Sequence, residues 1–163
     1  MFLDTFTASE GCEAGGLIKT LVADMLSSLS KNEMHVFSAV EDRQVLASNI
    51  FTRMTYVEDT RCVFILAPVG VATAQQGKGL GQSLINHALS ALREVGTNVV
   101  LTYGDINLYA KVGFVPIAQA DAQPPLPLQY PEGWLGLTLK PGPFLPIEGP
   151  SSCVGPLDDP NHW

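Results

Sequence analysis

The chain has 163 residues, 46% of them hydrophobic and 15% charged, with a formal net charge of −7. That length suits one domain around a single core, and the hydrophobic content excludes a disordered polyelectrolyte. The acidic balance argues against a nucleic-acid surface, which needs clustered Lys and Arg, and is compatible with a cationic partner.

In chain order, Phe2 to Phe6 reads as a short strand. From Ala14 the apolar positions Leu17, Ile18, Leu21, Val22, Met25, Leu26 and Leu29 recur at helical spacing, which predicts an amphipathic helix over 14–29. Val36 to Val40 and Gln44 to Tyr56 read as a hairpin around the polar turn Glu41-Asp42-Arg43. After a charged turn at Glu58 to Arg61, the stretch to Thr73 is too apolar for a sheet edge and belongs in the sheet centre.

Gly79 to Val95 carries the clearest helical stripe (Leu80, Leu84, Ile85, Ala88, Leu89, Leu92), and Gly96 stands where a C-terminal glycine cap belongs. Asn98 to Tyr103 reads as a buried strand. Asp105 is placed to cap a short helix over 106–112 that Gly113 ends. Phe114 to Ile117 and Trp134 to Leu139 read as strands on either side of Pro- and Ala-rich sequence. Residues 141–163 hold six prolines and no period. They are expected to form an extension outside a 1–140 domain, lying on the surface or reaching a neighbour, where they are a candidate for homodimer contacts. The order of elements implies a single α/β (α+β) domain with a mixed sheet.

Cys12, Cys62 and Cys153 are odd in number, widely spaced and without a CxxC, so neither a disulfide framework nor a zinc site is indicated; the expectation is no metal and a reducing, cytoplasmic setting. The start MFLDTFTASE lacks the pattern of a signal peptide. The longest uncharged apolar run, Cys62 to Gly77, is short for a membrane span and broken by Pro68 and Gly70, so no membrane partner is expected.

The segment VGVATAQQGKGLGQSLI joins a buried strand, a glycine-rich turn and a strong helix. Gly77, Gly79 and Gly81 bare backbone N–H groups where unpaired amides and the helix dipole favour an anion. Each such bond to a phosphate is charge-assisted and worth about 1.5–3 kcal/mol, so a few amides hold a diphosphate without an arginine. A Walker A loop fails, because Gly79 rather than Ser or Thr follows Gly77-Lys78. The dinucleotide fingerprint fails as well, because Gln82 takes its last glycine position. Pro68 interrupts the central strand and Gly70 is a natural bulge. A strand splayed there frees the backbone of Val69 and Val71 for a ligand that pairs like an added strand.

Gln76-Gly77-Lys78-Gly79-Leu80-Gly81 fits the pattern Gln/Arg-x-x-Gly-x-Gly/Ala, the pyrophosphate loop of the GNAT superfamily of N-acetyltransferases. The chain resembles that family from LAPVGVATAQQGKGLGQSLI through GDINLYAKVGF, in which a tyrosine precedes a Gly-Phe pair. The Gly-Asp before the tyrosine and the Pro-rich C-terminal part look most like its YhbS-like branch. The resemblance implies a mixed sheet splayed at the cofactor strand, and acetyl-CoA or CoA as co-substrate. It further implies pantetheine against Val69, Gly70 and Val71, and pyrophosphate on Gln76 to Gly81, Lys78 and Leu80 included. Asn107 is a candidate cofactor contact, although Thr102 stands where the family more often has an asparagine.

The implied reaction moves an acetyl group to a primary amine, on a small molecule or a protein, by direct attack in a ternary complex. Val69 or Gly70 N–H is placed to stabilise the oxyanion. Tyr109 stands at the position of the family's general acid, and a phenol with a reference pKa of about 10 matches a leaving thiol. Glu41, Glu58 and Asp59 read as turn residues rather than a base. His35, His87 and His162 are scattered, and His87 falls off the apolar stripe of its helix. A non-catalytic acyl-CoA-binding module of the same fold and a binder of ATP or NAD are the competing readings. The N-terminal region, which in this family shapes the acceptor pocket, looks abbreviated.

Overall fold

A computed structural model describes residues 1–163. Two helices, α1 (Phe2–Glu10) and α2 (Cys12–Ser28), precede strands β1 (Met34–Glu41), β2 (Gln44–Tyr56) and β3 (Asp59–Val71). Helix α3 (Leu80–Glu94) leads to β4 (Val99–Tyr103), the short helix α4 (Ile106–Tyr109), β5 (Val115–Pro116), β6 (Trp134–Thr138) and β7 (Ser151–Ser152). The sheet order is β1-β2-β3-β4-β6-β5, with β7 docked on β2. Only β3 and β4 pair in parallel, so the sheet is mixed and β3 is interior, as its apolar sequence requires.

One face of the sheet is covered by α1, α2 and the 141–163 segment, with Leu21, Met25, Ile50, Ile65, Leu101 and Trp134 in that core. Helices α3 and α4 cover the other face, over Phe51, Phe64, Leu66, Val100 and Leu135. No helix is long and apolar enough to cross a membrane.

Two expectations are corrected. Phe2 to Phe6 is the first half of α1 rather than a strand: five residues fit either period, and the helix is selected because it seats Phe2 against the sheet and buries Thr5. The 141–163 segment is not a surface extension. Val154, Leu157 and Trp163 are buried in the same core as β2 and β3, with Trp163 only 4% exposed. Its prolines break periodicity without preventing burial, because isolated apolar residues plug the core from turns. Trp163 Nε1 donates to Leu157 O at 2.8 Å, and the ring lies 6.1 Å from that of Trp134. Ser151 and Ser152 pair with Tyr56 and Thr55, and Arg61, held by Asp59, donates to the carbonyls of Leu145 and Pro146.

Candidate acetyl-transfer site

The site begins with one irregularity in β3. Asn49 pairs with Val69 but Phe51 with Leu66, so β3 carries one extra residue at Ala67-Pro68, where the peptide bond is cis. An inserted residue inverts the parity of everything after it. Before the bulge the Cys62 and Leu66 carbonyls point to β4, the first accepting from Asn98 N–H and the second from the Thr102 hydroxyl at 2.9 Å. After it, Ala72 N–H bonds Leu46 O, so the ladder alternation pairs Gly70 with Ser48 and turns the peptides of Val69 and Val71 away from β2. Pairing with β4 stops at Leu66 and Thr102, so those peptides face an open split in the sheet. The bulge thus lies at Ala67-Pro68 rather than at Gly70. The role expected for the Gly70 amide is corrected with it, because the β2 ladder uses that group. Gly70 matters for another reason: its vanished side chain makes room for α1, since a Cβ there would lie 2.8 Å from the Phe2 ring.

A cleft of ≈ 490 Å³ runs from this split along Val69, Val71, Gln76, Gly77, Gly79 and Gly81. Gly77 and Gly79 have φ of 73° and 79°, the left-handed region that favours glycine. No side chain caps α3, so the N–H groups of Leu80, Gly81 and Gln82 have no partner within the chain. Gln76 Nε2 and Thr5 Oγ1 donate to Val71 O at 3.1 and 3.3 Å, which ties α1 and the loop to the strand end. The structure does not bring every expected residue here. Lys78 Nζ donates to Gln75 Oε1 at 3.1 Å and is not part of the cleft wall. Asn107 lines neither cleft nor cavity: its N–H and Nδ2 both donate to Asp105 Oδ1 at 2.9 Å, completing the cap of α4. Lys111, one turn beyond α4, is the cation on the cleft wall, and Phe6, Glu10 and Leu108 close it; spacing gave no hint of any of these.

A second cavity, of ≈ 410 Å³, opens on the other side of Val69. Its walls are mainly apolar (Leu17, Ile18, Leu21, Leu66, Pro68 and Leu157 among them), and Tyr109 projects from α4 into its lining. Glu10, Asp105 and His162 supply the ionisable groups beside the tyrosines, and no Lys or Arg is present. Tyr109 is 8% exposed, and burial raises its phenol pKa, an effect the Thr102 hydroxyl partly offsets, so it is a protonated donor at neutral pH. Gly104 is required beside it, since a Cβ would lie 2.9 Å from the Tyr109 ring. None of the three cysteines lines either space, and burial and Asp158 push the Cys153 thiol up to about 11.

The chain and its fold have known counterparts. The E. coli K12 N-acetyltransferase YjhQ is 29% identical over 141 residues, 83% of this chain and 77% of that protein. E. coli YhbS, solved in complex with CoA, superposes with a TM-score of 0.77 at 22% identity, covering 88% of this chain and 78% of that one. A GNAT family acetyltransferase from Brucella melitensis in complex with acetyl-CoA gives 0.65 at 25% identity, covering 94% and 85%. The family model for the acetyltransferase (GNAT) domain matches residues 32–116, from β1 through the split strand and the glycine loop to β5, and the chain belongs to that family.

Proposed function

We propose that this N-acetyltransferase moves the acetyl group of acetyl-CoA to a primary amine by direct attack in a ternary complex. The observation that carries the reading is the junction at Val69: one open-edged peptide group separates a cleft floored by backbone amides from a cavity lined by a protonated tyrosine. The residues present fit the co-substrate, since Val69 and Val71 offer strand-like pairing to pantetheine amides and the uncapped start of α3 offers N–H donors to a diphosphate. Bound acetyl-CoA supplies a thioester carbonyl open to an amine.

The chain's residues then have separate tasks. Val69 N–H, turned away from β2 into the open split, would donate to the thioester carbonyl oxygen as charge develops on it. Tyr109 Oη–H gives a proton to the departing sulfur, which leaves with the C–S bond pair as the C–N bond forms. The absence of a thiol from both spaces supports direct transfer over a thioester acyl-enzyme. Glu10 and Asp105, with no Lys or Arg on the same cavity, favour an acceptor that arrives as an ammonium ion. The test is calorimetric titration with CoA, followed by thiol release from acetyl-CoA with a panel of amines. Heat of binding and amine-dependent release are expected. Binding without release on any amine would mark a non-catalytic module.

A further inference from the structure

An amine that arrives as an ammonium ion must lose a proton before its nitrogen can attack, so the cavity needs a base. Five ionisable side chains line it: Glu10, Tyr103, Asp105, Tyr109 and His162. Tyr109 is the protonated donor, and the Tyr103 hydroxyl already accepts the Tyr130 N–H at 2.7 Å. One oxygen of Asp105 already holds both Asn107 donors. Glu10 is exposed at the rim that the cavity shares with the cofactor cleft. A carboxylate is also a far weaker base than an imidazole.

We propose that His162, which lines the cavity but not the cofactor cleft, is the base that takes the proton of the acceptor ammonium. The inference rests on the transferase reading above. The half-buried imidazole sits on the turn Pro160–His162, whose entry is fixed by Asp159 Oδ1 accepting from Asn161 N–H at 2.9 Å. Its exit is fixed by the buried Trp163 ring and the Trp163 N–H to Pro160 O bond. Such anchoring on both sides positions a side chain without making it part of the core. The other two histidines are elsewhere: His35 packs against Phe64 at 5.0 Å and His87 meets Phe37 edge to face at 6.1 Å.

Burial lowers the His162 pKa and the nearby Asp159 carboxylate partly offsets this, so the imidazole is neutral and able to accept at pH 7. Glu10 and Asp105 are the other charges on the cavity, and they draw the ammonium in. The proton balance is complete. One proton passes from the ammonium to an imidazole nitrogen and on to water, the amine nitrogen attacks, its second proton returns to the Tyr109 oxygen, and Tyr109 has protonated the sulfur.

The test compares wild type, His162→Gln and Glu10→Gln, with acetyl-CoA and the best acceptor among benzylamine, spermidine and a lysyl peptide. Wild-type kcat/KM should rise with pH through an inflection below 6.5 that matches the imidazole titration of His162 followed by NMR, a readout independent of turnover. His162→Gln should lose that inflection and fall about 100-fold in kcat at pH 7, with CoA affinity and melting temperature kept. Glu10→Gln should raise KM and keep the inflection. Retention of both kcat and inflection by His162→Gln, loss of the inflection in Glu10→Gln, or an NMR titration that does not match the kinetic one would each overturn the proposal. His162→Asn covers the case in which His162→Gln does not fold, with the same expected outcome, and the NMR comparison stands on wild type alone. A wild-type chain that binds CoA but turns over no amine would instead remove the transferase reading itself.

Discussion

The cofactor cleft and the acceptor cavity share Phe6, Glu10, Val69 and Leu108 along their common wall, yet they are built by opposite means. The cleft is made largely from one continuous stretch, Val69 to Gln82, and it presents backbone. The cavity draws side chains from α1, α2, the end of β3, the β4–α4 connection and the 155–162 turns. Recognition by main chain demands small residues at fixed spacing and writes itself into the sequence. Recognition by convergent side chains does not, because any one of them is an ordinary residue in its own segment.

The largest effect that would sharpen this contrast is on the cavity side. Trp163→Ala removes a buried ring packed on Trp134 and should cost about 3–5 kcal/mol of stability in urea unfolding. In the fraction that stays folded, CoA affinity should be close to wild type while acceptor KM rises. An unchanged unfolding midpoint would show that the tail is not part of the core. Next in size is Tyr109→Phe, which deletes one hydroxyl at the junction; kcat should fall on the order of 100-fold with CoA affinity retained. Full kcat across the pH range would remove the proposed acid.

The same division explains what was legible. Strand β2, helix α3, the Asp105 cap and the glycine loop were all readable, because each is fixed by periodicity or by a local bond such as Asp105 Oδ1 to Asn107 N–H. The split after Leu66 was readable from Pro68, but its parity was not: where the extra residue sits decides whether Gly70 or its neighbours present free amides, and the choice follows from tertiary fit, with Phe2 filling the space over Gly70. Lys78 and Asn107 were assigned by proximity to a motif, and local partners, Gln75 and Asp105, hold them elsewhere. Glu10, Lys111 and His162 left no signal, since each reaches its place only through the packing of a distant segment.

On the cleft side the expected effects are smaller. Gly81→Val places branched atoms where a Cβ already lies 3.0 Å from Val71 Cγ2, and should weaken CoA binding about tenfold, or ~1.4 kcal/mol, with acceptor KM unchanged. Gly79→Ala, at φ 79°, should cost about 1 kcal/mol in unfolding. If either variant altered acceptor KM more than CoA affinity, the two spaces would not be as separate as their construction implies.

The smallest effect is a pH dependence that tests how the tail is strapped to the sheet. Asp59 grips Arg61 at 2.6 Å, and Arg61 in turn donates to Leu145 and Pro146 carbonyls at the start of the segment that ends in the cavity wall. The Arg61 hydrogen bonds hold the Asp59 carboxyl at about 2, below the reference value near 3.9. A carboxyl depressed on folding contributes stability that is fully present above the unfolded pKa and is lost as pH falls through the folded one. The urea midpoints of wild type and Asp59→Asn should therefore differ most at pH 5 and above, and converge between pH 4 and pH 2. A constant gap across that window would mean that the charge of Asp59 does not secure the strap, and that the tail is held by Trp163, Leu157 and the β7 pairing alone.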